Sequence, residues 1–290
     1  MPRGVRRVEA AVRRQLLTGE RITPHFHDQA QLIYPAYGLL GVTTERGTWM
    51  APPHRAVWIP AGAEHQHQAY GVTDMRALLF PVAAGAAGAG RAGLGEQPTV
   101  VAVSGLLREL ILALSGPGTR TAAARRRLER VTLDQLRESS EQPLHLPEPG
   151  DERLRAVTAM LRADPGNPAT LAGLGRQAGA SARTLSRLFA DELGMSFHRW
   201  RTQLRIHHSL VLLAEGTSVT DTAIVCGWSN PSSFIEAFSR AVGQTPGRYQ
   251  ATLVREAPAG WRGELPAGGP GELPMGGPGE LPAGPRGGGA

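Results

Sequence analysis

The stretch LAGLGRQAGASARTLSRLF, residues 171–189, carries a complete local plan for two short helices and a tight turn. Leu171, Leu174 and Ala178 fall on one helical face, and Gly179 supplies the left-handed residue that the turn needs. Ser181 stands where a side chain caps a second helix, whose Leu185, Leu188 and Phe189 turn back onto the first. Gly175 lies where the two helices would approach closely. This is a helix-turn-helix plan. The outward face of the second helix carries Arg183, Ser186, Arg187 and Ala190, spaced i, i+3, i+4 and i+7. Arginine can donate twice to guanine O6 and N7 and serine can serve several bases, so the face suits a major-groove reader. The same spacing also describes the solvated side of an ordinary helical hairpin.

A second copy decides between the two. In SVTDTAIVCGWSNPSSFIEAFSR, residues 218–240, Val219, Ala223 and Cys226 form a core stripe and Gly227 occupies the turn. Asn230 can cap, Pro231 fits the first helical position, and Phe234 and Phe238 return to the core. Its outward face carries Ser232, Ile235, Glu236, Ser239 and Arg240. Between the copies, FHRWRTQLRIHHSLVLLAEG (197–216) places Trp200, Leu204, His207 or His208, and Val211 at helical spacing. A helix of about 16 residues is ~24 Å long, a stiff spacer that could set two readers in successive major grooves.

Residues 151–250 resemble the DNA-binding domain of the AraC/XylS family of transcriptional regulators, a double helix-turn-helix. The segment LGMSFHRWRTQLRIHHSLVLL resembles the family linker, and GWSNPSSFIEAFSRAVGQTPGRYQ resembles its C-terminal signature, including the close at Gly243, Thr245, Pro246 and Tyr249. The resemblance implies base contacts from Arg183, Ser186 and Arg187 in the first recognition helix and from Ser232, Ser233 and Glu236 in the second. A carboxylate among phosphates is repelled unless it accepts from a cytosine amine, so the first motif is expected to carry most of the specificity. Arg205, Arg240 and Arg248 are the expected phosphate contacts. The bland reading of Cys226 is a core residue beside the turn.

Upstream, residues 20–80 alternate short β-rich runs (31–37, 55–59 and 75–80) with Pro and Gly, the pattern of a small antiparallel sandwich or barrel. AAGAAGAGRAGLGEQ (83–97) reads as a flexible connector. Leu106, Leu107, Leu110, Ile111 and Leu114, then Leu128, Val131 and Leu136, give two amphipathic helices joined by SGPGT (115–119). The last residues repeat GELPAGGP, GELPMGGP and GELPAGP and read as a disordered tail.

In the β region His25, His27, Gln31 and His65 form the constellation that could carry chemistry, with His54 and His67 nearby. Histidines at i and i+2 of a strand share a face, and a third from another strand could complete a set of imidazoles around a divalent metal. The spacing also resembles a cupin barrel. Gly19, His25, His27, Gln31 and Gly38 follow the first cupin motif, with Gln31 where a glutamate is usual. Pro60, Gly62 and His65 resemble the second, where His54 replaces the usual first glycine and Ala69 the final asparagine. Cupin barrels form the sensory domain of many AraC-type regulators, so the resemblance implies a small-molecule effector at His25, His27, Gln31 and His65. Whether His25, His27 and His65 hold metal, line an effector pocket or only hydrogen-bond within the barrel stays open at this level.

Composition bounds the rest. The 290 residues carry 31 Lys+Arg, every one an arginine, against 25 Asp+Glu, a net charge of +6. Residues 1–150 hold 17 basic and 13 acidic groups and residues 151–258 hold 12 and 9. The DNA-binding half is therefore not the more basic half, and the reading rests on where a few arginines stand. No apolar run approaches the ~20 residues of a membrane span. With one cysteine and arginines through the first 14 residues, the expectation is a cytoplasmic protein.

The expected architecture is α+β and multidomain: an N-terminal antiparallel β-barrel of cupin type (1–97), a helical hairpin linker that could dimerise (98–142), a C-terminal all-α double helix-turn-helix (151–250), and the tail (257–290). The expected function is a sequence-specific regulator, not an enzyme, whose partners are promoter DNA, an effector, RNA polymerase and a second copy of itself. The alternative is a cupin metal-dependent oxygenase or isomerase fused to a DNA-binding module. It needs a carboxylate or further base in the pocket, and the nearby Asp28 and Glu64 are expected to point outward.

Overall fold

A computed structural model describes residues 11–81, 97–118, 121–140 and 144–255. Residues 83–96 of the expected connector and the tail at 257–290 lie outside the described residues. The chain runs through β1 (Ala11–Leu16), β2 (Arg21–His25), β3 (Gln29–Thr44), β4 (Gly47–Ala51), β5 (Arg55–Ile59), β6 (His65–Pro81) and β7 (Thr99–Ala102). Helices α1 (Gly105–Ser115) and α2 (Ala122–Glu138), strand β8 (His145–Pro147) and seven further helices follow: α3 (Glu152–Ala163), α4 (Leu171–Gln177), α5 (Ala182–Leu193), α6 (Phe197–Ala214), α7 (Val219–Val225), α8 (Pro231–Val242) and α9 (Pro246–Arg255).

The β domain is built on one long bent pair. β3 and β6 run antiparallel from Gln29↔Pro81 to Thr43↔Gln66, and the register shifts between Pro35 and Leu39. Gly38 sits in that bend with φ +87°, where a Cβ would lie 2.4 Å from the Val72 carbonyl oxygen. Only glycine fits there. Beyond the bend the two strands pass from one layer to another. Their first half pairs with β5 and β1, and β5 in turn with β7. Their second half pairs with β4 and β2, and β4 in turn with β8. The layers are antiparallel, as expected, but among the described residues the ladder stays open at β1, β2, β7 and β8 and does not close into a barrel.

Alternation along β3 explains how the layers are covered. Ile33 and, on β5, Val57 and Ile59 face the space between the sheets. Leu32 and Tyr34, with Trp58, Leu78, Phe80 and Val101, face the other way and are covered by Leu107, Ile111 and Leu114 of α1 and Leu133 and Leu136 of α2. The two helices therefore form a third layer on the sheet, and β7 lies inside it, so the expected cut at 97 falls within one packed unit. Of the stripe read for this pair, Leu106 and Val131 face solvent.

The C-terminal helices divide their apolar faces unequally. Leu154, Val157 and Leu161 of α3, Leu174 of α4, Leu185, Phe189 and Leu193 of α5, and Trp200 and Leu204 of α6 form one core. The far half of α6 (Ile206, Leu210, Val211, Leu213) joins Phe234, Phe238, Val242, Tyr249 and Leu253 in a second core, continuous with Leu39, Leu40, Val42, Trp49 and Met50 of the sheet. Among the described residues, no helix is long and apolar enough to cross a membrane.

Candidate nucleic-acid interface and sensor pocket

The first reading head follows the sequence plan closely. Gly175 is buried in α4, where a Cβ would stand 2.4 Å from the Ala180 carbonyl oxygen, and Gly179 turns at φ +66°. The Ser181 hydroxyl accepts from the Thr184 amide at 3.1 Å and caps α5. With Leu185, Phe189 and Leu193 buried, Arg183, Ser186, Arg187 and Ala190 are all exposed on the opposite side.

The second head repeats the design with one difference in charge. Asn230 Oδ1 accepts from the Ser233 amide at 2.8 Å, Pro231 opens α8, and Gly227 turns at φ +71°. Phe234, Phe238 and Val242 are buried, and Ser232, Ser233, Ile235, Glu236 and Arg240 are exposed. Arg240 donates to Glu236 one turn back at 2.5 Å, so this face presents a paired rather than a free positive charge. Gly243 ends α8 at φ +83°, the Thr245 hydroxyl accepts from the Arg248 amide, and Tyr249 is fully buried against Phe238. The signature at the chain's C-terminal side is thus a helix stop, a new start and an anchor.

Three arginine and cysteine expectations divide. Arg248 is exposed, as a phosphate contact requires. Arg205 is not: its Nε donates to the Pro165 carbonyl at 3.1 Å and its guanidinium lies 5.9 Å from the Trp228 ring. It ties α6 to the loop before α4 and to the second head, a structural role that basic spacing alone did not reveal. Cys226 is fully buried, accepts from the Ser209 hydroxyl at 3.2 Å, and burial pushes its thiol up to about 11, which suits a core residue.

In the sensor half the histidines meet. His25 ends β2, His65 opens β6 directly opposite it, and His67 follows on the same face of β6. The ring centroids of His25 and His65 are 4.4 Å apart, those of His25 and His27 4.9 Å, and those of His65 and His67 5.0 Å. Nδ1 of His25 donates to the Thr23 carbonyl and Nδ1 of His65 to the Ala63 carbonyl, both at 2.8 Å. This fixes the tautomer and leaves each Nε2 with its lone pair free. His65 Nε2, His27 Nε2, His67 Nδ1 and Gln31 Oε1 are buried with no hydrogen-bond partner. Burial, reinforced by the neighbouring imidazoles, lowers His65 to about 4 and holds His67 well below its usual value. Desolvation and His25 lower His27, with Asp28 opposing. Burial thus favours the neutral imidazole at His27, His65 and His67, the form that accepts a ligand proton or binds a metal.

The ligand nitrogens of His25, His27 and His65 lie within 4.8 Å of one another, so the set fits a metal ion with a modest contraction. Gln31 lies on the same inward side of β3 as Ile33, by alternation. Asp28 and Glu64 are both exposed, and Glu64 lines the cleft of about 560 Å³ that opens beside the cluster, with Pro24, Thr43, Arg46 and His65. His54, standing where the cupin pattern has glycine, adopts a left-handed backbone with φ +67°. His67, a neighbour of the set in sequence terms, stands two residues after His65 on β6 and so shares its face.

Two family models match the chain: an AraC-like ligand binding domain over residues 10–136 and a helix-turn-helix domain over residues 174–252. The HTH-type transcriptional regulator NimR of Escherichia coli K12 is 35% identical over 250 residues, spanning 83% of this chain and 87% of that protein. RipA of Corynebacterium glutamicum, also an HTH-type transcriptional regulator, is 33% identical over 39% of this chain and 34% of its own length. The activator RhaR of Klebsiella pneumoniae is 33% identical over 33% of this chain and 35% of its own. With two exposed recognition helices behind a ligand-binding sheet domain, and a relative of this identity over most of both chains, the protein belongs to the AraC family of DNA-binding transcriptional regulators.

Proposed function

We propose that the chain is a one-component switch in which a small molecule held at His25, His27, Gln31 and His65 alters how the two heads meet a promoter. Arg183, Ser186 and Arg187 read bases from the first head, and Ser232, Ser233 and Glu236 read from the second, with Arg240 and Arg248 near phosphates. The observation that carries this reading is the shared core: α8 and α9 of the second head are packed into the same apolar cluster as β3 and β4 of the sensor sheet. A change of packing in the sheet therefore reaches one recognition helix without a flexible intermediary, while the first head keeps its own core.

The chain acts as a dimer, through the exposed Leu106 and Val131 on the α1–α2 layer, and contacts RNA polymerase when it activates. Footprinting of the purified protein on its own and neighbouring promoters, with and without a panel of metabolites, tests the switch. Protection that no compound changes, or that survives loss of Arg183 and Arg187 together, overturns it. Sedimentation of the wild type and of Leu106→Glu tests the dimer, which requires the variant to run as a lighter species.

A further inference from the structure

A cavity of about 400 Å³ lies on the seam between the two halves of the chain, where the bend of the sheet meets the helices of the second head. Tyr37, Tyr70 and Gly71 line it from β3 and β6, Leu213 and Glu215 from the C-terminal end of α6, and Leu253 from α9. None of its lining residues belongs to the histidine set, so it is a separate pocket. Its volume is that of a small-molecule site. Val254, which is exposed, stands at its mouth.

The charge of this cavity is one-sided. Glu215 is half-buried, burial raises its carboxyl above the ordinary value, and among the described residues it makes no ion pair. Its carboxylate is near enough to the Tyr70 phenol to oppose ionisation there. Arg21, the cation that registers on Tyr70, is exposed on β2 and forms no ion pair with Glu215. The Ala214 carbonyl, in the last turn of α6, stands at the same place, since a Cβ on Gly71 would lie 3.7 Å from its oxygen. A helix C-terminus carries partial negative charge and favours a cation. The Gln250 amide nitrogen is taken up by the Leu213 and Thr217 carbonyls at 3.4 and 2.7 Å, which leaves its oxygen as the polar atom open to a ligand.

A half-buried carboxylate at the negative end of a helix, with no counter-ion, lacks a positive partner. Aromatic rings beside it add attraction for a cation. We infer that the seam cavity binds a small amphipathic cation, a protonated amine or amidine whose charge meets Glu215 and the end of α6 and whose apolar body lies between Tyr37, Tyr70 and Leu253. This site is additional to the histidine pocket and does not depend on it. An occupant touching β3, β6, α6 and α9 at once acts on the second head directly, because those elements already share one core.

The test is calorimetric titration of untagged full-length protein with octylammonium and with 2-phenylethylammonium. Octanol, octanoate and 2-phenylethanol serve as the matched neutral and anionic bodies. Each ammonium ion should bind once per chain and at least about tenfold more tightly than its uncharged or anionic counterpart. Glu215→Gln keeps the shape and removes the charge, and should erase that preference while leaving octanol binding unchanged. Ala251→Trp fills the cavity from α9 and should weaken every one of these ligands. Urea midpoints check that both variants fold, and the wild-type comparison of charged and uncharged bodies stands without them. Octanol or octanoate binding as tightly as octylammonium overturns the inference. An affinity for octylammonium unchanged by Glu215→Gln, or by Ala251→Trp, places the ligand elsewhere and does the same. So does the absence of saturable binding by either ammonium ion below about 10 mM. Because the titrations contain no DNA, their outcome is separate from that of the promoter footprints that test the switch.

Discussion

Arg55, the first residue of β5, donates through Nη2 to the main-chain carbonyl of Val242, the last residue of the second recognition helix, at 2.7 Å across 187 residues of sequence. The next residue, Gly243, is held so close that a Cβ there would lie 2.6 Å from the same Nη2. Arg55 is more than half desolvated, which lowers its pKa, yet it remains charged at pH 7. A sensor strand thus grips a reader helix at its C-terminal carbonyl, where the helix dipole favours a cation. Arg55→Ala is expected to cost about 1.5–3 kcal/mol of stability and to shrink the effector-dependent change in DNA affinity while leaving effector binding intact. Urea melts, fluorescence titration with effector and gel shifts read the three quantities.

The two recognition helices should answer differently to loss of charge. Arg187→Ala is expected to cost about 1–3 kcal/mol and relax one base position. Glu236→Gln should do the reverse, because it frees Arg240 from its partner. Non-cognate sequences would then bind more tightly while discrimination at the base that Glu236 reads is lost, and the slope of log affinity against log salt should steepen by about one. Equal footprints for the wild type and Arg187→Ala would reject the first, and an unchanged salt slope the second.

Two turn glycines have the same backbone and different surroundings. Gly179 has φ +66° and open space where a Cβ would go. Gly227 has φ +71°, and a Cβ there would lie 2.6 Å from the Gly166 carbonyl oxygen. Gly179→Ala should therefore cost only the left-handed strain of about 1–2 kcal/mol. Gly227→Ala should cost clearly more and separate α7 from the loop before α4. Chemical denaturation of the two variants side by side measures the difference.

Acid should destabilise the fold through His207. This ring is buried between α6 and β8, accepts no proton readily because of desolvation and the nearby His145 and Arg162, and sits at about 3. The unfolded chain titrates near 6.5. Above pH 6.5 neither state binds the proton; below it only the unfolded state does, so stability falls from pH 6.5 down to about 3. Between pH 6.5 and 5 that loss is about 2 kcal/mol. In His207→Leu the same interval should be flatter by about that amount, as urea unfolding at a series of pH values would report.

The helix-turn-helix units were legible because their determinants are local. Ser181 and Asn230 cap, Gly179 and Gly227 turn, and Pro231 starts a helix by chemistry contained within four residues. What escaped depends on partners far along the chain. The run around Ile206, Leu210 and Leu213 gives one stripe on a helical plot, yet α6 is buried on several sides because a sheet lies against it. β1, with Arg13 and Arg14 exposed, shows no apolar alternation and is defined only by pairing with β6. Charge spacing does not distinguish an arginine facing DNA from one such as Arg205, which donates to the Pro165 carbonyl. The histidines at 25, 27 and 65 were legible by motif, while the enrolment of His67 needed the register of β2 against β6.

The unequal division of the apolar cores has a consequence for how such chains can be recombined. The first head closes its core with Leu146 of β8 as its one contribution from the sheet among the described residues, so a cut near residue 151 costs it little on the sheet side, although Trp200 and Leu204 of α6 complete it on the other. The second head cannot be cut from the sheet so lightly, since its interior is completed by residues from β3 and β4. A chimera that joins a foreign sensor to this chain at the same point would bring two unmatched surfaces together. The portable unit is the sheet with α6–α9 attached, and a working hybrid would have to inherit both sides of that seam from one parent.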